Sequence, residues 1–271
     1  MRICHQLPPM LDYHKAKELI WDPRTISLSQ DQRDWAAMTP DQQEVILLLC
    51  SLFHMGEEAV AHDLAPLLIA IRRSGAYLED EMFLTTQLFE EAKHVEWFDR
   101  WFDEVVKRPI EMSSFLGEEY KTIFYEELPK SLNRLLTDHS TRAQAEAVAT
   151  YHMIIEGVLA ETGYHGFVRA LKDRNLMPGL VTGIRYVQQD EARHIAFGIY
   201  LLQRLVRADR ALWDVIQNRL NSLLPVATGL IQDIFARYEN QMPFGLDVTE
   251  FVNYAARQFN FRVNAIERAV G

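Results

Sequence analysis

Two copies of one short pattern, Glu91-Ala-Lys-His94 and Glu191-Ala-Arg-His194, place a carboxylate and an imidazole three residues apart, where a helix puts both on one face. With 22 Glu and 9 His in 271 residues, chance alone supplies about 0.7 such pairs, so a single copy would carry no weight. The context carries it. Glu57 lies 34 residues before Glu91, and Glu156 lies 35 before Glu191, so the series Glu…Glu-x-x-His occurs twice, in order and at nearly equal spacing. A helical bundle that holds two metal ions between carboxylates needs this inventory: one Glu from each of two helices and a Glu-x-x-His pair from each of the other two.

The surroundings of these acids argue for cations rather than solvent. Glu57 follows Leu47, Leu48, Leu49, Leu52 and Phe53; Glu156 follows Met153, Ile154 and Ile155; Glu91 follows Leu88 and Phe89. Burying one unpaired carboxylate has an idealised cost of order 20 kcal/mol. Lys93 and Arg193 sit between the members of each pair and are expected to point elsewhere. Two divalent ions would balance four Glu charge for charge and leave His94 and His194 as neutral ligands. Carboxylates with one imidazole per metal suit iron or manganese, whereas zinc or copper would recruit more His or Cys. His54 and His152 share a face with Glu57 and Glu156 but lack counterparts in the other half, so they are read as outer or surface histidines. Glu58, Glu90 and Glu161 are read as solvated or hydrogen-bonded. Asp190 is expected to accept a hydrogen bond from the distal nitrogen of His94 in the opposite half, the device that sets a liganding tautomer; the plain alternative is a surface carboxylate.

Positioning these residues takes long helices. Helical periodicity pervades the chain and alternating β-branched runs are almost absent. The first 38 residues read as irregular, with Pro8, Pro9 and Pro23 as breakers. Thr39-Pro40-Asp41 then reads as a cap opening a helix toward Arg73, bent at Pro66. Further helices are expected over about Leu78–Lys107, Glu118–Thr137, Thr141–Asp173, Leu180–Ala208, Ala211–Tyr238 and Val248–Ala269. Helices of roughly 30 residues span about 45 Å. No linker or composition shift divides the chain, so residues 1–271 are read as one all-α domain, a four-helix bundle core with additional helices.

A hydrophobic content of 48% allows a large core, while a net charge of −10 argues against nucleic acid or an anionic membrane as partner. Cys4 and Cys50 cannot build a disulfide framework and suit two reduced thiols in a cytoplasmic protein. Met1–Asp22 lacks the apolar stretch expected of a signal peptide, and no run of 18 uninterrupted apolar residues occurs to span a membrane.

These residues resemble the ferritin-like superfamily and, within it, the small subunit of ribonucleotide reductase. Trp21-Asp-Pro23 followed by Ser29-Gln-Asp31 is similar to the opening of those subunits, where the Trp begins a radical-transfer path. Two features depart from a working reductase subunit. The radical-bearing tyrosine belongs four residues after the first liganding His, where this chain has Phe98, and a helix takes the place of the flexible docking tail near Gly271. A second group, the small-subunit-like ligand-binding oxidases, is similar over nearly the whole chain: Gly56-Glu-Glu-Ala-Val60, Phe83-Leu-Thr-Thr86, Glu91-Ala-Lys-His94, Ile123-Phe-Tyr-Glu126, Ile155-Glu-Gly157 and His194…Phe197-Gly-Ile-Tyr200. That resemblance implies a manganese and iron centre (two irons being the variant), with Glu57, Glu91 and His94 around one ion and Glu156, Glu191 and His194 around the other. It implies O2 as co-substrate, a bound long-chain fatty acid, and an ether cross-link between Val60 Cβ and the Tyr151 oxygen. Val60 stands one helical turn after Glu57, on the same stripe. Tyr151, five before Glu156, would be turned about 140° from it on a regular α-helix, so spacing alone does not select it. A homodimer is the expected assembly. The rival readings are a reductase small subunit, which would bind a catalytic partner, and a di-iron storage protein, which would assemble into a shell.

Overall fold

Prolines begin helices here more often than they end them. In the computed structural model, which describes residues 2–238 and 242–269, Pro8 and Pro9 occupy the first positions of α1 (Pro8–Glu18), where a missing N–H costs nothing. The first 38 residues are therefore not irregular, as their prolines suggested: α1 is followed by a single tight turn at Pro23–Thr25 and by α2 (Ser29–Ala37). α2 has a definite task. Asp31 accepts hydrogen bonds from the backbone N–H of Gly179 (2.8 Å) and Leu180 (2.6 Å), and Asp34 accepts from Met177 (2.7 Å). Two acids of one helix thus satisfy the orphan donors at the start of another, 148 residues downstream. Burial pushes the Asp31 carboxyl up to about 6, and the two backbone hydrogen bonds oppose it.

Thr39 opens α3 (Pro40–Asp63) with a reciprocal cap: its hydroxyl accepts the Gln42 N–H while the Gln42 side chain accepts the Thr39 N–H. The chain bends at Leu64, just before Pro66, into α4 (Ala65–Arg73). α3 and α4 together are long and apolar enough to cross a membrane, yet they break midway and bury their apolar side chains in the bundle. α5 (Leu78–Trp101) runs on through one wide π turn, Phe102–Val106, and stops where Lys107 turns left-handed. A composite rod follows, α6 (Glu118–Lys121), a π segment over Thr122–Glu127, and α7 (Leu128–Arg134). The next rod is α8 (Thr141–Val148), twelve π-helical residues over Ala149–Ala160, and α9 (Glu161–Ala170). α10 (Pro178–Ala208), α11 (Leu212–Ala236, with Pro225 inside) and α12 (Val248–Glu267) complete the chain. Among the described residues there is no strand. The expected end of the last helix near Ala269 falls two residues past Glu267, and Val270 and Gly271 lie outside the described residues.

α3 packs on α5, α10 packs on the twelve-residue π segment, and α5 meets α10, which gives the expected four-helix core. α1 lies across α5 and α10, while α11 and α12 cover the π segment. Two apolar clusters fill the bundle, and Leu159, Ile234 and Phe259 pack against both.

α10 approaches its neighbours through glycine. A Cβ at Gly183 would lie 2.1 Å from the Trp97 ring, and one at Gly198 would lie 2.4 Å from His152 Cβ. In an exposed helix Gly→Ala stabilises by about 1 kcal/mol; here the steric term reverses the sign. Gly198→Ala is expected to destabilise the protein by about 1–3 kcal/mol, the cost of overpacking a filled core. Thermal or urea unfolding measures this, and an unchanged or raised Tm would mean that the helices sit farther apart than described.

Candidate metal centre

Each of the four core rods delivers part of one buried cluster. α3 supplies Glu57, α5 supplies Glu91 and His94, the π segment supplies Glu156, and α10 supplies Glu191 and His194. None of the six is more than 7% exposed. Their donor atoms form two overlapping groups, Glu57–Glu91–His94–Glu191 and Glu91–Glu156–Glu191–His194, in each of which the atoms lie within 4.8 Å of one another. The convergence expected from the doubled pattern is thus present, with one refinement: Glu91 and Glu191 belong to both groups.

The histidines are held from behind. His94 Nε2 stands 3.2 Å from Asp190 Oδ2, and His194 Nε2 stands 2.8 Å from Glu90 Oε2. A carboxylate at Nε2 selects the tautomer with its proton there, which leaves the Nδ1 lone pair facing the cluster. The Asp190–His94 pairing is the one anticipated. Glu90 is its counterpart in the other half, and its signal was the acid that precedes each Glu-x-x-His (Glu90-Glu91 and Asp190-Glu191).

Lys93 and Arg193 point away from the donor atoms, as expected, but they do not leave the core. Lys93 Nζ is 2.7 Å from Asp190, and Arg193 spans Asp190 and Glu90 at 2.5 Å each. Trp21 Nε1 also donates to Asp190, at 2.7 Å. Burial pushes the Asp190 carboxyl up, but the bond from His94 and the Lys93 charge outweigh it and hold the group well below the usual carboxylate range. Of the other acids, Glu58 is exposed, and Glu161 is half-buried beside Arg262 and Gln188.

Neither remaining histidine joins the donor groups. His54 packs edge-on to Phe102 at 6.0 Å, and His152 is fully buried beside Gln87. Burial, with the His194 charge, lowers His152 to about 3 and keeps it neutral. Phe98 is fully buried and stacks on Phe53 at 5.6 Å.

Tyr151 reaches the cluster by a route that α-helical spacing hides. In a π-helix the hydrogen bonds run from i to i+5, so residues five apart lie nearly over one another. Tyr151 and Glu156 therefore share a face. The Tyr151 hydroxyl donates to Glu91 Oε1 (2.6 Å) and accepts from Gln87 Nε2 (2.9 Å). Val60 and Tyr151 line the same apolar cavity, of about 110 Å³, which begins at Glu57, Glu91, Glu156 and Glu191 and reaches Phe235 on α11 and Phe251 on α12. Gln87 carried no sequence signal beyond standing one turn before Glu91.

The electrostatics suit two divalent cations. Burial pushes Glu57 up to about 8 despite His94, and burial with Glu191 raises Glu156. Burial pushes His94 and His194 down, but the surrounding carboxylates outweigh it and raise both. In Glu91 the burial effect is overcome by the two histidines, and the group is lowered. His94 Nδ1, His194 Nδ1, Glu156 Oε2 and Glu191 Oε2 are all buried without a hydrogen-bond partner, a donor set that fits a pair of metal ions. Groups raised in this way hold protons near neutrality that metal must displace. Loading metal-free protein with divalent cations at pH 7 is expected to release protons, and affinity should fall as pH drops below about 8, where Glu57 gains its proton. Calorimetry in buffers of different ionisation enthalpy measures the release; binding without it would contradict this charge distribution.

Comparison with known proteins agrees with this geometry. Residues 11–265 match the family described as ribonucleotide reductase, small chain. Among solved structures, an R2-like ligand-binding oxidase with aerobically reconstituted Mn/Fe cofactor is 39% identical, with a TM-score of 0.93 over 97% of this chain and 94% of that one. A valine-to-isoleucine mutant of such an oxidase with anaerobically reconstituted Mn/Fe cofactor gives 39% identity and a TM-score of 0.92 at the same coverage. A tyrosine-to-phenylalanine mutant, aerobically reconstituted, gives 39% and 0.91, again at that coverage. The chain therefore belongs to the ribonucleotide reductase small-chain family, on the branch of the R2-like ligand-binding oxidases.

Proposed function

We propose that this chain is an O2-dependent two-electron oxidase with a Mn/Fe centre, that it binds a long-chain fatty acid, and that it joins Val60 Cβ to the Tyr151 oxygen as an ether. The observation that carries the reading is the buried Glu4His2 cluster opening directly onto an apolar cavity, in a chain 39% identical to oxidases whose cofactor is Mn/Fe. Glu57, Glu91 and His94 would hold one ion and Glu156, Glu191 and His194 the other. A metal pair held there would supply O2 binding and two of the four electrons needed to take O2 to water. The coupling supplies the other two: the Val60 Cβ–H and Tyr151 O–H bonds break, the Cβ–O bond forms, and two protons leave with two electrons.

The protein's own residues prepare this step. Tyr151 is fully buried and Val60 is 4% exposed, so bulk water does not compete for the reacting atoms. The hydrogen bond to Glu91 holds the phenol beside the donor cluster. Leu230, Ile231, Phe235 and Phe251 provide an apolar channel suited to an acyl chain, with its carboxylate toward the metals. Phe98, at the position of the radical tyrosine in reductase subunits, disfavours the reductase reading, since its ring has no hydroxyl to oxidise. Residues 1–271 act as one domain in this reading, and the unpaired thiols, exposed Cys4 and buried Cys50, suit a cytoplasmic enzyme.

A homodimer is part of the proposal. Leu78, Met82, Thr85, Phe89 and Ala92 advance by four and three along the outer face of α5, the spacing of a helix–helix seam, with Leu78 47% and Phe89 54% exposed. A second copy of α5 is the partner that matches this stripe. Phe89→Glu should halve the solution mass seen by analytical ultracentrifugation; a native protein already at 31.5 kDa would remove the dimer from the proposal.

Oxidase chemistry is tested on protein loaded anaerobically with Mn(II) and Fe(II) and then exposed to O2. Its mass is expected to fall by about 2 Da, the two hydrogens lost, and tryptic mapping should find the Val60 and Tyr151 peptides joined. Tyr151→Phe should abolish the link with both metals retained. Separate peptides after full loading would refute the cross-link. Denaturing extraction should also release an acyl chain detectable by lipid mass spectrometry, and its repeated absence would refute the fatty-acid ligand.

A further inference from the structure

The Tyr151 phenol stands among the candidate metal ligands Glu91 and Glu156 and one polar side chain that is no ligand candidate. That side chain is Gln87, wholly buried on α5 and one turn before Glu91. Its amide nitrogen lies 2.9 Å from the Tyr151 oxygen, 3.2 Å from Glu156 Oε1 and 3.3 Å from His152 Nε2, while its amide oxygen lies 3.4 Å from the same His152 nitrogen.

An amide nitrogen carries two hydrogens, so these contacts must be apportioned. A metal-binding Glu156 carboxylate only accepts, so the nitrogen, not the oxygen, must face it. His152 Nδ1 is buried without a hydrogen-bond partner, so the one proton of neutral His152 belongs on Nε2, which donates to the Gln87 oxygen. That leaves one amide hydrogen for Glu156 and one for Tyr151. The Tyr151 oxygen becomes an acceptor from Gln87, and its own hydrogen points to Glu91 at 2.6 Å. Every polar hydrogen in the chain His152–Gln87–Tyr151–Glu91 is assigned, and the phenol rotor has a single direction.

We infer that Gln87 is a positioning residue for the Val60–Tyr151 coupling, its amide holding the phenol oxygen in place and directing the phenol hydrogen to Glu91. The inference rests on the proposed coupling and adds the device that orients it. In that step Tyr151 loses its hydrogen, Val60 Cβ loses the other, and the two electrons pass to O2. A phenol free to rotate could instead give its hydrogen to Glu156 or turn its oxygen away from Val60. Gln87 also ties the two halves together, since one amide contacts the phenol and Glu156 at once.

The test uses full-length Gln87→Met, which keeps the volume and removes the amide, and Gln87→Glu, which keeps the shape and replaces the donating nitrogen. Gln87→Glu serves as the main variant if the methionine protein does not fold. Metal content, Tm and cross-link yield are measured together after loading with Mn(II) and Fe(II) and exposure to O2. The expected result is a cross-link forming up to roughly a hundredfold more slowly per two-metal site, the scale on which a misplacement of about 1 Å slows a step. A crystal structure of the metal-free Gln87→Met protein should also show the Tyr151 hydroxyl displaced from its 2.6 Å contact with Glu91. Wild-type cross-linking in a folded, metal-filled variant would overturn the inference. So would a yield that merely tracks metal content, the signature of a structural role. If the wild-type protein itself forms no cross-link, the coupling reading fails and this inference falls with it.

Discussion

Four carboxylates share a space of a few ångströms at the centre of an apolar bundle, and the surrounding structure answers that charge. The compensation comes in layers. Nearest are two imidazoles whose Nδ1 atoms face the acids; behind them stand Asp190 and Glu90; behind those lie Lys93, Arg193 and Trp21. Buried ion pairs are poor sources of stability, because the desolvation of each charge rivals the attraction it gains. The arrangement makes better sense as a fixed electrostatic frame, built to hold six donor atoms in position for cations. The apolar clusters on either side keep water from relaxing it.

The two halves of the frame are alike in chemistry but not in detail. Asp190 and Glu90 occupy equivalent places, yet only Asp190 is tied to Trp21 and Lys93, while Arg193 bridges both. The side of the cluster at His94 therefore looks toward Trp21 in the connection from α1 to α2, and the side at His194 toward Phe83 and Phe197. The cavity breaks the symmetry further, since it reaches Val60 and Tyr151 but neither histidine. One flank of the centre is charged and hydrogen-bonded, and the other is greasy. Such a division suits a site that takes an apolar ligand from one direction and exchanges charge in another.

The donor cluster was legible in the sequence because Glu-x-x-His is a local pattern: both members of each pair sit on one turn, and the doubled order supplied the rest. Asp190 was legible for the same reason, being adjacent to its own motif. Glu90 stood in the same place before its own motif but was read as solvated or hydrogen-bonded without a partner named, and Gln87 was harder, because its partner lies 64 residues away on another rod and no periodicity links them. The long helices followed from hydrophobic spacing, whereas α1 and the turn at Pro23 that leads to α2 were hidden by prolines read as stops when they were starts. Tyr151 was hidden by an assumption of 3.6 residues per turn, which fails over Ala149–Ala160.

That wider winding bears on any effort to transplant the centre. A scaffold of four regular α-helices can reproduce the Glu and Glu-x-x-His spacings on three of its rods, but on the fourth it would carry Tyr151 around the helix and away from Glu156. Copying the side chains is then insufficient; the looser backbone has to be copied with them. A single-residue deletion inside Ala149–Ala160 would pose the same problem from the opposite direction. The rod could tighten to a better-bonded α-helix, and the protein would keep a bundle while losing the register between its phenol and its acids.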